Sequence, residues 1–211
     1  ARDAFGRYPM AQSALYKMDC VTMPLADLYA AHLLDILGLK PLAKAQYSLR
    51  VSCDVDRPYH PGVQSFKGAL RRAAGALVNQ RSPKNAYRAY KSGRGSFTKG
   101  DPYFTFDWMM DQAEAQNLCV TFHFIAGGHH PFDACYTMDE PVMKTLTSNM
   151  SARGHKLGLH PSFMAGEDAA QFQSELDLLC AATDQSAIDV RQHYLRWFAG
   201  KTSGFYDARV V

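Results

Sequence analysis

No stretch of the chain approaches the roughly 18 consecutive apolar residues of a membrane-spanning helix. The opening residues, Ala1-Arg2-Asp3, carry neither Met nor an apolar secretory segment, so a processed product or a fragment is expected. Cys-x-x-Cys pairs are absent too. The five cysteines (Cys20, Cys53, Cys119, Cys135 and Cys180) are scattered and odd in number, which suggests neither a zinc knuckle nor a disulfide framework. Cys53 and Cys119 lie in apolar runs and read as small buried hydrophobes. The compartment is therefore read as reducing, hence cytoplasmic. Acidic residues are missing from one long stretch, because residues 57–100 hold ten Lys or Arg and no Asp or Glu. That stretch is either a solvated insertion or an electropositive rim for an anionic substrate or a membrane surface. It shows no nucleic-acid module signature, which sets nucleic acid aside as a partner.

What is present is an ordinary globular composition: 47% hydrophobic and 20% charged over 211 residues, with a net charge of +3. One domain is the expectation, with residues 1–46 as an arm and helix packed on it and 47–211 as its body. Residues 1–23 lack clear periodicity. Pro24 opens a helix whose Leu25, Leu28, Tyr29, Leu33, Ile36 and Leu37 recur at helical spacing, and Gly38 caps its end. After a break at Pro41, Tyr47, Leu49, Val51 and Cys53 alternate as in a strand, which stops at Asp54-Val55-Asp56-Arg57-Pro58. Within the basic stretch, residues 66–78 fit a helix, and 85–99, with Gly93 and Gly95, fit a mobile flap.

From Asp101 the pattern is regular. Thr105 or Asp107 caps a helix carrying Trp108, Met109, Met110 and Ala113, and a buried strand follows over 118–125. Asp139 caps the next helix, with Pro141 in its first turn and Gly154 as its stop. A short strand over 156–160, a helix opened by Glu167 and Asp168, and a strand over 187–190 complete the series. Strands alternating with helices of this length imply βα units around a parallel sheet or barrel.

In such folds functional residues gather at the carboxyl ends of strands. The first strand ends in Asp54 and Asp56, the third in His160-Pro161-Ser162, the fourth in Arg191-Gln192-His193-Tyr194. Two carboxylates one residue apart serve a metal, a base or both, or they only cap the next element. With the histidines and the arginine they suit a divalent metal, a carboxylate base and a cation that settles an anion. His123, in the second strand, reads as a core histidine with its ring hydrogen-bonded. His155 reads as structural, and His129 and His130 as exposed loop residues.

Three motifs in order give a family resemblance over roughly residues 47–200. Gly154-His155-Lys156-Leu157-Gly158-Leu159-His160 resembles the Gly-His-Glu-Ile-Gly-x-His motif of polysaccharide deacetylases, the NodB-homology or carbohydrate esterase family 4 group. Cys53-Asp54-Val55-Asp56 is similar to that family's Asp-x-Asp motif. Arg191-Gln192-His193-Tyr194-Leu195-Arg196-Trp197 resembles its third motif in a branch linked to bacterial surface polysaccharides, as do Asp101-Pro102-Tyr103 and Thr121-Phe122-His123-Phe124. The resemblance implies an irregular (β/α) barrel and removal of N-acetyl groups from a sugar or polysaccharide. Asp54 would be the general base that activates water, and Arg191 would hold it. Asp56 and His160 would bind a divalent metal, most often Zn. Tyr194 and Ser162 would lie against the substrate, an N-acetylated glycan or a lipid-linked sugar.

Two departures from the family pattern stand out. Met164 occupies the position of the family's second motif histidine, and His193 and His123 are the residues that could replace it. The chain also stops soon after the third motif, so an incomplete barrel is expected, and pairing with a second copy would cover its open edge. The alternatives carried forward are a catalytically degenerate carbohydrate-binding protein of the same fold and a hydrolase of a related amide or ester, such as a formyl group.

Overall fold

The computed structural model describes residues 2–5, 7–40, 46–59, 66–92, 101, 103–134, 136–185 and 188–207. Pro41, Cys135, the glycines of the expected flap and the last four residues lie outside them. The chain divides into two compact units, residues 1–49 and 50–211.

The first unit holds a short helix α1 (Ala14–Lys17) and the longer α2 (Leu25–Ile36). Ser13 caps α1 by accepting the Tyr16 amide. Gly38, at φ +67, takes the left-handed conformation that ends α2, as its position after the apolar stripe predicts. No residue of α2 is buried.

The second unit is a mixed α/β fold with a parallel sheet. Its elements are β1 (Val51–Val55), α3 (Phe66–Gln80), α4 (Pro83–Ser92), α5 (Phe106–Glu114), β2 (Val120–Phe124), α6 (Pro141–Ala152), β3 (Lys156–Leu159), α7 (Ala169–Thr183), β4 (Asp189–Val190) and α8 (Thr202–Asp207). The four strands pair in chain order, all parallel. β1 is shorter than the alternation from Tyr47 predicts, since Tyr47 and Leu49 are exposed and unpaired. The expected flap begins as helix α4, because Lys84 to Tyr90 continue a helical turn after Ser82, whose hydroxyl accepts the Asn85 amide.

Strand parity explains why this sheet has two unlike faces. Val51, Cys53 and Val55 pair with Val120, Phe122 and Phe124, and these pair on to Leu157 and Leu159. That row meets Phe106 and Met110 of α5, Met143, Leu146 and Met150 of α6, and Phe172, Leu176 and Leu179 of α7 in one core. Each large side chain of this set contributes about 1.5–3 kcal/mol by leaving water. Successive strand residues point to opposite faces. The other face therefore carries Ser52, Asp54, Thr121, His123, Gly158 and Asp189, with Asp54, His123, Gly158 and Asp189 in one register row. Cys119 shares this second parity and is exposed, against the expectation of a buried thiol.

The sheet curls, since residues of β2 and β4 approach within 8 Å at Cα where two flat strand spacings would hold them about 9.6 Å apart. Three strand spacings on a flat sheet would separate β1 from β4 by roughly 14 Å. Yet Arg191, just past β4, donates from Nη1 to Ser52 Oγ at 2.7 Å. Tyr136 fastens the mouth of the sheet, because its hydroxyl donates to the Val55 carbonyl (2.7 Å) and accepts the Ile125 amide (2.9 Å). At the opposite end, His155 accepts the Val120 amide at Nδ1 (3.1 Å), and its Nε2 lies 3.1 Å from Glu114, the structural part the sequence assigns it.

Candidate metal centre

Asp56 follows β1, His160 follows β3 and His193 opens the turn after β4, so three separate strand ends converge. The Asp56, His160 and His193 side chains each offer one donor atom within 4.8 Å of the others, forming the one such cluster among the described residues. The His160 Nε2 lies 3.6 Å from Asp56 Oδ1, and the His193 Nδ1 lies 3.9 Å from it. The two ring nitrogens are 2.8 Å apart.

The hydrogen bonds behind these rings fix their tautomers. His160 Nδ1 faces the Arg191 carbonyl at 2.5 Å, and His193 Nε2 faces the Phe132 carbonyl at 3.0 Å. A carbonyl only accepts, so each of those nitrogens carries the proton. In the neutral rings the two inward nitrogens then both present lone pairs, and these face each other beside a carboxylate. Lone pairs in contact repel, and a cation between them removes the repulsion. Burial also pushes the His160 pKa down, with Asp54 the largest opposing influence, so the ring favours the neutral form that binds a metal. Carbonyl acceptors behind imidazoles are the usual outer-shell arrangement of histidine metal ligands. A tetrahedral centre with bonds of about 2.0–2.2 Å separates its donors by about 3.3–3.6 Å, a range the three observed separations straddle. The donor set fits a divalent metal ion.

Asp54 sits one turn of the pleat behind Asp56. Its Oδ2 is 3.3 Å from Arg191 Nε, so the arginine anchored on Ser52 also holds the carboxylate. Its Oδ1 is buried and lies 3.7 Å from the equally buried His123 Nδ1, and neither atom has a hydrogen-bond partner among the described residues. His123 is therefore not the hydrogen-bonded core histidine expected from the sequence. It stands on the polar face beside Asp54, and burial pushes its pKa down. Room for the ring comes from Gly158, where a Cβ would meet His123 Cδ2 at 2.5 Å and the Asp189 carbonyl at 2.8 Å. The parity shared by Asp54, Thr121 and His123 was the available signal for this placement.

His193 is brought in by a strained turn, since Tyr194 (φ 55) and Leu195 (φ 52) both take the left-handed region. That conformation is unfavourable for non-glycine residues and clusters at functional sites. Tyr194 packs its ring against His193 (4.7 Å), Phe132 (5.3 Å) and Phe163 (5.5 Å), and it is half-buried at the edge of the cluster. Ser162 is different. It is 1% exposed, its amide donates to the buried Glu175 carboxylate at 2.8 Å, and its Cβ would lie 2.4 Å from one on Gly128. Gly128, at φ +91, is required for that close approach. Ser162 thus belongs to the scaffold under the mouth and offers no surface to a substrate. Met164 is exposed and takes no part in the cluster. His129 is exposed as expected, whereas His130 stacks on Phe163 at 4.3 Å.

No protein-family model, curated protein or solved structure matches this chain.

Proposed function

We propose that the protein is a metal-dependent hydrolase that removes N-acetyl groups from a sugar or polysaccharide, built on a sector of an irregular (β/α) barrel of the NodB-homology type. The observation that carries this reading is the convergence of Asp56, His160 and His193 beside an Asp54–Arg191 pair. The sequential parallel order and curl of the sheet support the barrel sector, because right-handed crossovers advancing in one direction leave the helices on one side. Zinc is the preferred ion for a carboxylate and two imidazoles. The scattered cysteines, free at Cys20, Cys53, Cys119 and Cys180 among the described residues, support a cytoplasmic setting.

When bound, the ion supplies Lewis-acid polarisation and water activation. The chain's own residues supply the rest. Asp54, whose side chain is partly exposed, accepts the proton of the attacking water, while Arg191 Nε beside Oδ2 keeps the carboxylate oriented. The new C–O bond forms first, the carbonyl electrons moving onto oxygen; as they return the C–N bond breaks, and the proton that Asp54 took from water passes to the leaving nitrogen, giving acetate and a free amine. The half-buried Tyr194 ring, with the exposed Phe132, forms an apolar shoulder beside the ligands on which a sugar can rest.

His193 completes a three-residue donor set despite Met164, which favours the hydrolase over a degenerate binding protein. The test is acetate release from an N-acetylglucosamine oligosaccharide with added zinc. Asp54→Asn should retain the metal and lose at least about 100-fold in rate, the scale of general base catalysis. Equal release by the variant would refute the assigned base. Formyl release without acetyl release would move the substrate to the related amide class.

A further inference from the structure

The α3–α4 hairpin, inserted in the crossover that leaves the carboxyl end of β1, presents its side chains the wrong way round for a helix pair that serves only its own fold. The small residues Ala69 and Ala76 are 0% and 9% exposed, while Leu70, Leu77 and Val78 are 56%, 50% and 73% exposed. Successive residues of a helix turn by about 100°. On α3 the two leucines, Ala74, Lys67, Arg71 and Val78 therefore fall on one outward face. On α4, Tyr87 is 65% exposed and stands beside the exposed Lys84 and Arg88, with Arg81 at the corner between the helices. Lys67, Arg71, Arg81, Lys84 and Arg88 form no ion pair among the described residues, and residues 57–100 contain no carboxylate to form one.

We propose that this face docks on an anionic lipid bilayer. A face that mixes aliphatic side chains with unopposed cations gains twice there, from burial of the apolar residues at the headgroup boundary and from attraction to anionic lipids. A nucleic acid would reward only the cations, because its phosphates offer nothing to Leu70, Leu77 and Val78. The inference does not rest on the hydrolase reading.

The experiment is co-sedimentation of the full chain with phosphatidylcholine vesicles and with mixed phosphatidylcholine–phosphatidylglycerol vesicles. Lys67→Gln/Arg71→Gln, Lys84→Gln/Arg88→Gln and Leu70→Ser/Leu77→Ser are compared with wild type. Binding should require the anionic lipid and weaken as salt rises. Each cation near such a surface is worth about five-fold in partitioning, so each cation pair should cost roughly 25-fold. The leucine pair should weaken binding as well. The two cation pairs lie on different helices, so a folding defect in one leaves the other to decide. Helix α2 carries Asp27 and Asp35 and no Lys or Arg, so charge selectivity does not originate there. Equal binding to neutral vesicles, no binding, or binding indifferent to the cation variants would overturn the proposal. Tighter binding to single-stranded RNA than to the anionic vesicles would overturn it in favour of a nucleic-acid surface.

Discussion

Gly158→Ala tests whether the space beside His123 is structural. The added methyl would lie 2.5 Å from His123 Cδ2, 2.9 Å from Nε2 and 2.8 Å from the Asp189 carbonyl. The ring can tilt, but the carbonyl belongs to β4, which pairs with β3 at this residue. Overpacking of this kind costs about 1–3 kcal/mol. The loss of glycine's freedom in the unfolded chain returns about 0.4–1 kcal/mol. The expected net loss is about 1–2 kcal/mol, or roughly 2–8 °C in melting temperature for a chain of this size. Thermal melts followed by circular dichroism read it directly. Two of the three short contacts are to the ring, so the loss should shrink in a His123→Ala background. An unchanged or raised melting temperature for Gly158→Ala would refute the packing argument. Equal losses in both backgrounds would show that the ring is not what the glycine accommodates.

The metal-free protein should lose stability as pH falls from 7 towards 5. Burial holds the pKa values of His123 and His160 below the usual imidazole value, so the unfolded chain binds more protons than the fold in this window. Glu175 acts in the opposite sense, because burial raises its pKa and protonation in the fold relieves a buried charge as pH falls. Urea midpoints that stay flat or rise toward pH 5 in Glu175→Gln would contradict the histidine assignment. Tyr136→Phe should cost about 1–3 kcal/mol by urea denaturation, since the Val55 carbonyl and Ile125 amide lose their shared partner. A loss below that range would mean that water replaces the hydroxyl at the mouth.

Much of the second unit was legible in the sequence because its local signals agree with its tertiary pattern. Pro141 in the first turn of α6, Gly154 after its end (φ 80) and Asp168 accepting the Ala170 and Gln171 amides all mark boundaries where expected. The N-cap position of α6 is Glu140, with Asp139 instead accepting a hydrogen bond from Thr137. The Asp56–His160–His193 cluster was legible as strand-end residues of metal-ligating type, with His193 able to stand in for the histidine that the family pattern has where this chain has Met164. His123 was misread because a histidine between Phe122 and Phe124 looks buried in the core, whereas pleat parity turns it to the polar face. The resemblance puts Ser162 against the substrate, whereas it is buried under the mouth. Only the fold reveals the carboxylate of Glu175 waiting for its amide. The proton positions on His160 and His193 depend on carbonyls 31 and 61 residues away in sequence, which no local pattern encodes.

The most direct measurement is the zinc content of the purified protein, before and after titration with the ion, for wild type, His160→Ala and His193→Ala. One ion per chain in wild type, lost in both variants, is the expected result. No uptake by wild type, or full retention of zinc in both variants, would contradict the assignment of Asp56, His160 and His193 as a metal centre.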